Sequence, residues 1–478
     1  MTALLKNTLK IALLSTLLVP QAHTFKLSLK KPTTTVGSAD HLFETKFSAI
    51  EEPATVAELQ ALVAQARTQG RKIALVGAGK SMGGQTASGA ASDYRVSLQK
   101  LNKVINLNVR DKEVTVQAGM TWRMLQEVLA PHRLAIKAMQ SYHDFAIGGS
   151  FSVNVHGQDI LYNPIITTVR SLRLLQADGT IINVSRTENS ELLGLVIGGY
   201  GLFGIIIDVT LSVTDDVLLQ RNVAIIESHE LADYFEKHIK NNPNMQLYSA
   251  RFSIGSQHLL EQALVISYEV VEQDTPELFV LEQFPQNKLQ KTLLAVAGKN
   301  GLMKKFRFTL EKIYLDKKQI ISRNNFNNNT IASLPADTAS ARYILQEYFI
   351  PYNKLTQFID DLRALIKAKN INMLNVTARH VCADTESKLA FARQDCCAFV
   401  LYISIPSTAQ GYEETQQWSK ELIDKALACG GTYYLPYQLL GTQSQLEAAY
   451  PAWKEFVARK KQYDPTELFT NKLYQTYK

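Results

Sequence analysis

The chain has 478 residues, 46 % apolar and 20 % charged, with 14 prolines spread along it and a net charge of +7. That profile belongs to a globular protein with room for two or three cores and excludes a fibrous or low-complexity chain. Four cysteines without CxxC spacing (Cys382, Cys396, Cys397, Cys429) and nine histidines without an HExxH pair argue against a zinc site or disulfide framework, so no metal centre is expected.

At the N-terminus, Lys6 and Lys10 precede the apolar run "IALLSTLLV" (11–19), and "PQAHT" offers a cleavage point after Ala22. That is the layout of a secretory signal peptide. Pro20 falls three residues before the cut, where a small side chain is expected, so residues 1–32 are expected to be a signal peptide or a retained membrane anchor. Either places the protein in the cell envelope, periplasmic or at the inner membrane. The run is shorter than the roughly 20 residues that span a bilayer, and a short buried helix of a cytoplasmic protein is the alternative.

"TVAELQALVAQARTQG" sets Thr55 and Glu58 in capping-box spacing, puts Val56, Leu59, Leu62, Val63 and Ala66 on one helical face, and stops at Gly70. The strand "KIALV" follows and opens into "LVGAGKSMGGQ" (75–85), which half-satisfies three motifs. A P-loop needs glycine where Ala74 stands, and a dinucleotide fingerprint needs a third glycine where Met82 stands. A nucleophile elbow at Ser81 needs a following helix, but "GGQTASGAASDY" has no 3.6-residue apolar period. What survives is a strand and a glycine turn able to approach a bulky anion closely, or a plain surface turn.

Strands are predicted in "YRVSLQ", "KVINLNV" and "EVTVQAG", a helix in "TWRMLQEVLA", and a hairpin in "SLRLLQADGTIINVS". The fold class is therefore α+β. Two more glycine stretches follow, "AIGGSFSVNVHG" and "VIGGYGLFGIIIDVTLSV". Glycine inside ordered elements costs roughly 0.5–1 kcal/mol relative to alanine, so this density suggests backbone lining a long ligand of FAD size.

Taken in order, "VGAGKSMGGQ", "VTVQAGMTW", "IGGSFSVNVHG" and "GGYGLFGIIIDVTL" strongly resemble the PCMH-type FAD-binding domain of the vanillyl-alcohol oxidase superfamily. The closing "YDPTELFTNKLY" (463–474) resembles the end of its sugar, alditol and aldonolactone oxidases. The resemblance implies a two-domain flavoenzyme with an FAD-binding domain over 45–215, a substrate or cap domain over 216–440, and a C-terminal segment, 441–478, returning to the FAD domain. It implies FAD contacts at Gly77, Ala78, Gly79, Lys80, Ser81, Met82, Gly84 and Gln85. Further contacts fall at Gly148, Gly149, Ser152 and His156, and at Gly199, Gly204 and Ile205. Many relatives have histidine in place of Lys80 and bond it to the flavin. Lysine is not expected to do so, and FAD is expected to be non-covalent, with Lys80 a positive charge near the pyrophosphate.

The chemistry implied is transfer of a hydride from a CH–OH carbon of a sugar, alditol, lactone or related alcohol to flavin N5. By resemblance, His156 lies near the flavin and Arg379 in "NVTARHV" stabilises negative charge on the reduced ring. Alditol oxidases carry a carboxylate two residues before that arginine, where this chain has Thr377, and Glu347 in "QEYFIP" is the second-rank alternative. Decaprenylphosphoryl-ribose oxidases carry a substrate-binding lysine where "GGTYYLPYQL" has Tyr437, which weakens a lipid-linked sugar as substrate. A flavin-binding protein without turnover is the rival reading. The electron acceptor, oxygen, a quinone or a redox protein, is written in no motif.

Between Lys288 and Arg323, ten basic residues face two acidic ones, interleaved with apolar side chains. Such a segment is expected to lie on an anionic membrane surface. No recognition motif points to nucleic acid.

Overall fold

The computed structural model describes residues 34–37, 44–47, 49–88, 90, 93–283, 301–315, 317–331 and 337–478. The N-terminal apolar run and Lys288, Lys291 and Lys299 of the basic stretch lie outside the described residues.

Strands β1 (Thr34–Gly37) and β2 (Glu44–Phe47) pair antiparallel ahead of the main body. Next come β3 (Ala49–Glu51) and helix α1 (Val56–Thr68). The Thr55 hydroxyl accepts from the Glu58 N–H at 3.2 Å, but Glu58 reaches back to the Ala54 N–H at 2.9 Å, one residue outside the reciprocal box. A cap of this kind contributes about 1 kcal/mol. Leu59, Leu62, Val63 and Ala66 are buried beneath the helix. Strands β4 (Ile73–Val76) and β5 (Tyr94–Ser97) complete a parallel sheet in the order β3-β5-β4. The glycine turn therefore leaves the end of a buried strand.

The second sheet is antiparallel. It comprises β6 (Val104–Asn108), β7 (Glu113–Gln117), β8 (Leu134–Ile136), β9 (Val169–Leu175), β10 (Ile181–Ser185) and β11 (Ile205–Asp215), ordered β10-β9-β11-β7-β6 with β8 on β11. Helices α2 (Trp122–Leu129), α3 (Ile147–Ser152) and α4 (Ser190–Val196) interrupt it in sequence. Gln176 to Thr180 make the predicted hairpin turn, with Gly179 at φ +92°.

After Asp215 the chain enters an eight-stranded sheet. Its strands are β12 (Leu218–Glu227), β13 (Met245–Phe252), β14 (Gln262–Val270), β15 (Ile320–Ser322), β16 (Ala341–Pro351), β17 (Met373–Val381), β18 (Cys396–Pro406) and β19 (Thr432–Tyr433). The order is β15-β12-β14-β13-β17-β18-β16-β19. Helix Leu355–Lys369 packs on one face, where Phe358 meets Tyr348 at 5.9 Å and Phe399 at 5.1 Å. Because side chains alternate along a strand, the neighbours Glu347 and Val400 face the other way. That opposite face roofs the cleft described below.

The C-terminal segment returns to the first sheet. The Ile73 N–H donates to the Leu468 carbonyl at 2.7 Å, Thr470 N–H donates back to Ile73 at 3.0 Å, and Lys472 N–H donates to Gly84 at 3.1 Å.

The structure corrects the picture of an outward-facing basic stretch at two residues. Arg307 is 4 % exposed and pairs with Glu311, and Arg323 is 1 % exposed and pairs with Asp159. Each has an acidic partner that makes burial cheaper than an exposed position would suggest. Lys312, Lys317 and Lys318 are exposed. Among the described residues, no helix is long and apolar enough to cross a membrane.

Candidate active site

A cleft of about 1990 Å³ empty volume, its open mouth included, runs between the glycine turn and the roofing face of the eight-stranded sheet. Its floor is backbone-rich. Residues Gly77 to Met82 line it, and a methyl group added at Gly77 would come within 2.8 Å of Ala146 Cβ, so the turn touches the chain entering α3. The second glycine stretch forms the first turn of α3, not a loop. Gly148 is packed against Ala118, while a Cβ at Gly149 would meet nothing within 4 Å and would stand in the cleft. Gln85 ties this floor together: its Oε1 accepts from the Ser81 hydroxyl at 2.5 Å and its Nε2 donates to the Leu435 carbonyl at 2.9 Å. Ser81 is thus a hydrogen-bonding partner of Gln85.

Most of the expected cofactor contacts converge here: Gly77, Ala78, Gly79, Lys80, Ser81, Met82, Gln85, Gly148, Gly149, Ser152, His156 and Gly204 all line the cleft. Gly84, Gly199 and Ile205 do not line it. Gly84 packs against Lys472, Gly199 closes on the carbonyl of Leu195, and Ile205 is wholly buried, with Ile206 lining the cleft instead. A one-residue change of register along a strand is enough to exchange core and cleft faces.

The roof is a row of register partners. Glu347 on β16 pairs with Val400 on β18, Val400 with Thr377 on β17, and Thr377 with Arg251 on β13. Asn375, Thr377 and Arg379 alternate along β17 and all line the cleft. His156 meets Glu347 at the β16 end, Nε2 to Oε1 2.6 Å, with both side chains 2 % exposed. Phe349, Phe391 and Tyr434 surround the imidazole at 5.4–6.0 Å. An isolated buried carboxylate costs several kcal/mol, so each partner makes the other's position tenable. His156 Nδ1 has no hydrogen-bond partner among the described residues. Burial pushes the Tyr437 phenol well above its usual range, and the Glu347 carboxylate beside it adds to the shift.

Arg379 donates from Nη2 to the Ser141 hydroxyl at 2.8 Å, and its Nε has no partner among the described residues. Nor, among these, does a carboxylate come within ion-pair range of it. Burial raises the Tyr142 phenol against the opposing pull of Arg379 and Arg251. Farther along, Glu311 Oε1 lies 3.1 Å from Arg251 and 2.8 Å from Arg307. Burial would raise that carboxyl, but the two guanidiniums hold it below its usual value.

All four proposed catalytic residues, Arg379, His156, Tyr437 and Glu347, therefore line one cleft. Sequence reasoning missed Arg251, Ser141, Tyr142, Asn375 and Tyr402, and placed Arg307 on the surface. Alternation along β17, starting from Arg379, carries a signal for Asn375; nothing local marks Arg251.

The residues present suit a flavin dinucleotide: side-chain-free backbone on the floor, open space at Gly149, and unpartnered polar atoms at the roof. Residues 47–185 match the family described as FAD binding domain, and the fold and cleft are those of a two-domain FAD-dependent oxidoreductase. Residues 209–477 match the family described as D-arabinono-1,4-lactone oxidase, to which this chain belongs. The chain is 24 % identical to L-gulonolactone oxidase of Bos taurus over 427 residues, covering 88 % of this chain and 92 % of that one. It is 30 % identical to D-arabinono-1,4-lactone oxidase of Yarrowia lipolytica over 194 residues, 39 % of this chain and 36 % of the relative. L-galactono-1,4-lactone dehydrogenase, mitochondrial, of Brassica oleracea is 26 % identical over 212 residues, 44 % of this chain and 35 % of the relative.

Proposed function

We propose that the protein oxidises a CH–OH carbon of a sugar lactone or closely related sugar derivative, with FAD held non-covalently on the glycine-lined floor. The observation that carries this reading is the buried His156–Glu347 pair in the cleft opposite that floor. The bound flavin supplies the two-electron oxidation. Glu347 accepts the hydroxyl proton, His156 holds the carboxylate in place, and Tyr437 hydrogen-bonds it, so that the pair does the work for which Thr377 has no carboxylate. Arg379, with no acidic partner among the described residues, is free to stabilise negative charge that develops during oxidation. Aromatic rings around His156 exclude water from the pair.

Relatives named as lactone oxidases and dehydrogenases support the substrate class. Oxygen, a quinone or a redox protein serves as acceptor. We place the enzyme in the cell envelope on the N-terminal apolar run, with the exposed lysines of the basic stretch toward an anionic membrane surface. The decisive experiment is an anaerobic screen of aldonolactones, sugars and alditols, neutral and carrying a carboxylate or phosphate, for bleaching of the flavin band. Bleaching by a lactone is expected; a flavoprotein that no member of the panel reduces would leave a binding protein without turnover.

A further inference from the structure

We propose that the end of the cleft walled by Arg251 and Arg307 is an oxyanion subsite, and that the sugar substrate carries a carboxylate or phosphate at the end remote from the carbon oxidised. The proposal deepens the oxidase reading and rests on it.

Charge balance is the first observation. Two guanidiniums share the one Glu311 oxygen, which among the described residues leaves a net positive charge at a cleft wall. Arg379 adds a further guanidinium with no acidic partner among the described residues. Uncompensated charge in a partly desolvated site is costly, and an oxyanion from the ligand removes that cost.

Donor geometry is the second. Arg307 is committed: Nε to Glu311, Nη1 to the Leu374 carbonyl at 2.5 Å, and Nη2 to Asn375 Oδ1 at 3.1 Å. It is a fixed positive charge at the wall. Arg251 is less occupied. One Nη holds Glu311, the enclosed Nε has no partner among the described residues, and 26 % of the side chain is exposed. A planar guanidinium with spare donors suits carboxylate or phosphate recognition.

Position is the third. Arg251 stands three strands from Glu347 along one register row on one sheet face. At the usual strand spacing that is about 14 Å between backbones, and both side chains reach inward. A sugar with a charged arm spans the gap while its reacting hydroxyl stays at the His156–Glu347 pair.

The test uses the purified FAD-loaded protein, with D-gluconate, glucose 6-phosphate and the neutral D-gulono-1,4-lactone as probes, read by perturbation of the flavin absorption band. At least one anion should bind about tenfold or more tighter than the lactone, the scale of hydrogen bonds to a charged group. The stronger of the two anions tells carboxylate from phosphate. Rising salt should erode that advantage. Arg251→Gln should weaken the preferred anion about tenfold and leave the lactone within about twofold, while Arg251→Lys recovers part of the loss. A lactone that binds as well as both anions, or Arg251→Gln weakening all probes alike, overturns the proposal. Should Arg251→Gln fail to fold, the comparison of probes and its salt dependence in the unmodified protein decides alone. Failure of every sugar to bleach the flavin would sink the oxidase reading, a result independent of these affinities.

Discussion

His156, in the loop after α3, and Glu347, on β16, meet at 2.6 Å in a shell of Phe349, Phe391 and Tyr434. Both side chains are almost wholly enclosed, so the pair is insulated from solvent. Glu347→Gln keeps the shape and removes the accepting charge. Flavin reduction by the best substrate should fall about 100-fold or more with FAD still bound, the usual contribution of a positioned base; anaerobic stopped-flow absorbance measures it, and an unchanged rate would remove Glu347 from the proton path. Arg379→Ala should also slow reduction about 100-fold, through loss of charge stabilisation. Because Lys80 lines the floor at the place where the resembled superfamily often carries its linking histidine, acid precipitation should release FAD into the supernatant, and yellow colour retained by the pellet would contradict non-covalent attachment. The places of His156 and Arg379 in the cleft were legible from motif resemblance, whereas the contact of His156 with Glu347 joins segments remote in sequence.

Helix α3 separates the two uses of adjacent glycines. Gly148 is pressed on Ala118, where an added Cβ would lie 2.7 Å from that methyl, while Gly149 opens into the cleft. Gly148→Val should therefore lower thermal stability, by about 1–3 kcal/mol as overpacking usually does. Gly149→Val should leave the melting temperature of the flavin-free protein nearly unchanged and cut the flavin-to-protein ratio. Full flavin content in Gly149→Val would show that the cofactor does not lie over α3. A run of glycines announces close backbone approach but not its direction, since the side each missing Cβ would occupy depends on how the helix sits on β7 and β11. The same limit explains Ile205: its strand was readable, but which of Ile205 and Ile206 faces the cleft was not.

The closing segment straps the chain's end to its beginning, through Ile73, Gly84 and Tyr200, whose carbonyl accepts from Asn471 Nδ2 at 2.8 Å. Ending the chain at Tyr463 should lower the melting temperature and the flavin content together, because the strap backs the strand and turn that form the floor; a truncated protein that keeps both would make the strap dispensable. Acid sensitivity has a separate origin in the substrate sheet. Burial holds His380 down at about 4, against a pull upward from Asp395, with its Nδ1 3.0 Å from the Tyr352 hydroxyl and its ring stacked on Phe235. The unfolded chain binds this proton near the ordinary 6.5, so stability is lost as pH falls from about 6.5 toward 4, by up to about 3 kcal/mol. Asp216, raised to about 6 by burial, works in the opposite sense below that pH. The contribution of His380 is accordingly the difference between the unfolding profiles of the unmodified protein and His380→Phe. Equal slopes from pH 6.5 to 4 would exclude it.

Local information was sufficient for much of this. The capped helix α1, the strand into the glycine turn, the hairpin over 169–185 and the four ordered glycine motifs rest on interactions within a few residues, which is why periodicity, caps and turn residues revealed them and why the flavin class followed. The chemistry of the roof had no such local source. Arg251, Glu311, Glu347 and Arg379 form a charge system because β13, β16, β17 and β18 pair in a particular register and the helix carrying Arg307 and Glu311 turns those two side chains inward. Isolated on their strands and helix, those residues read as solvated charges. Long-range pairing puts them on one buried face, where desolvation makes the partner of each charge the deciding fact.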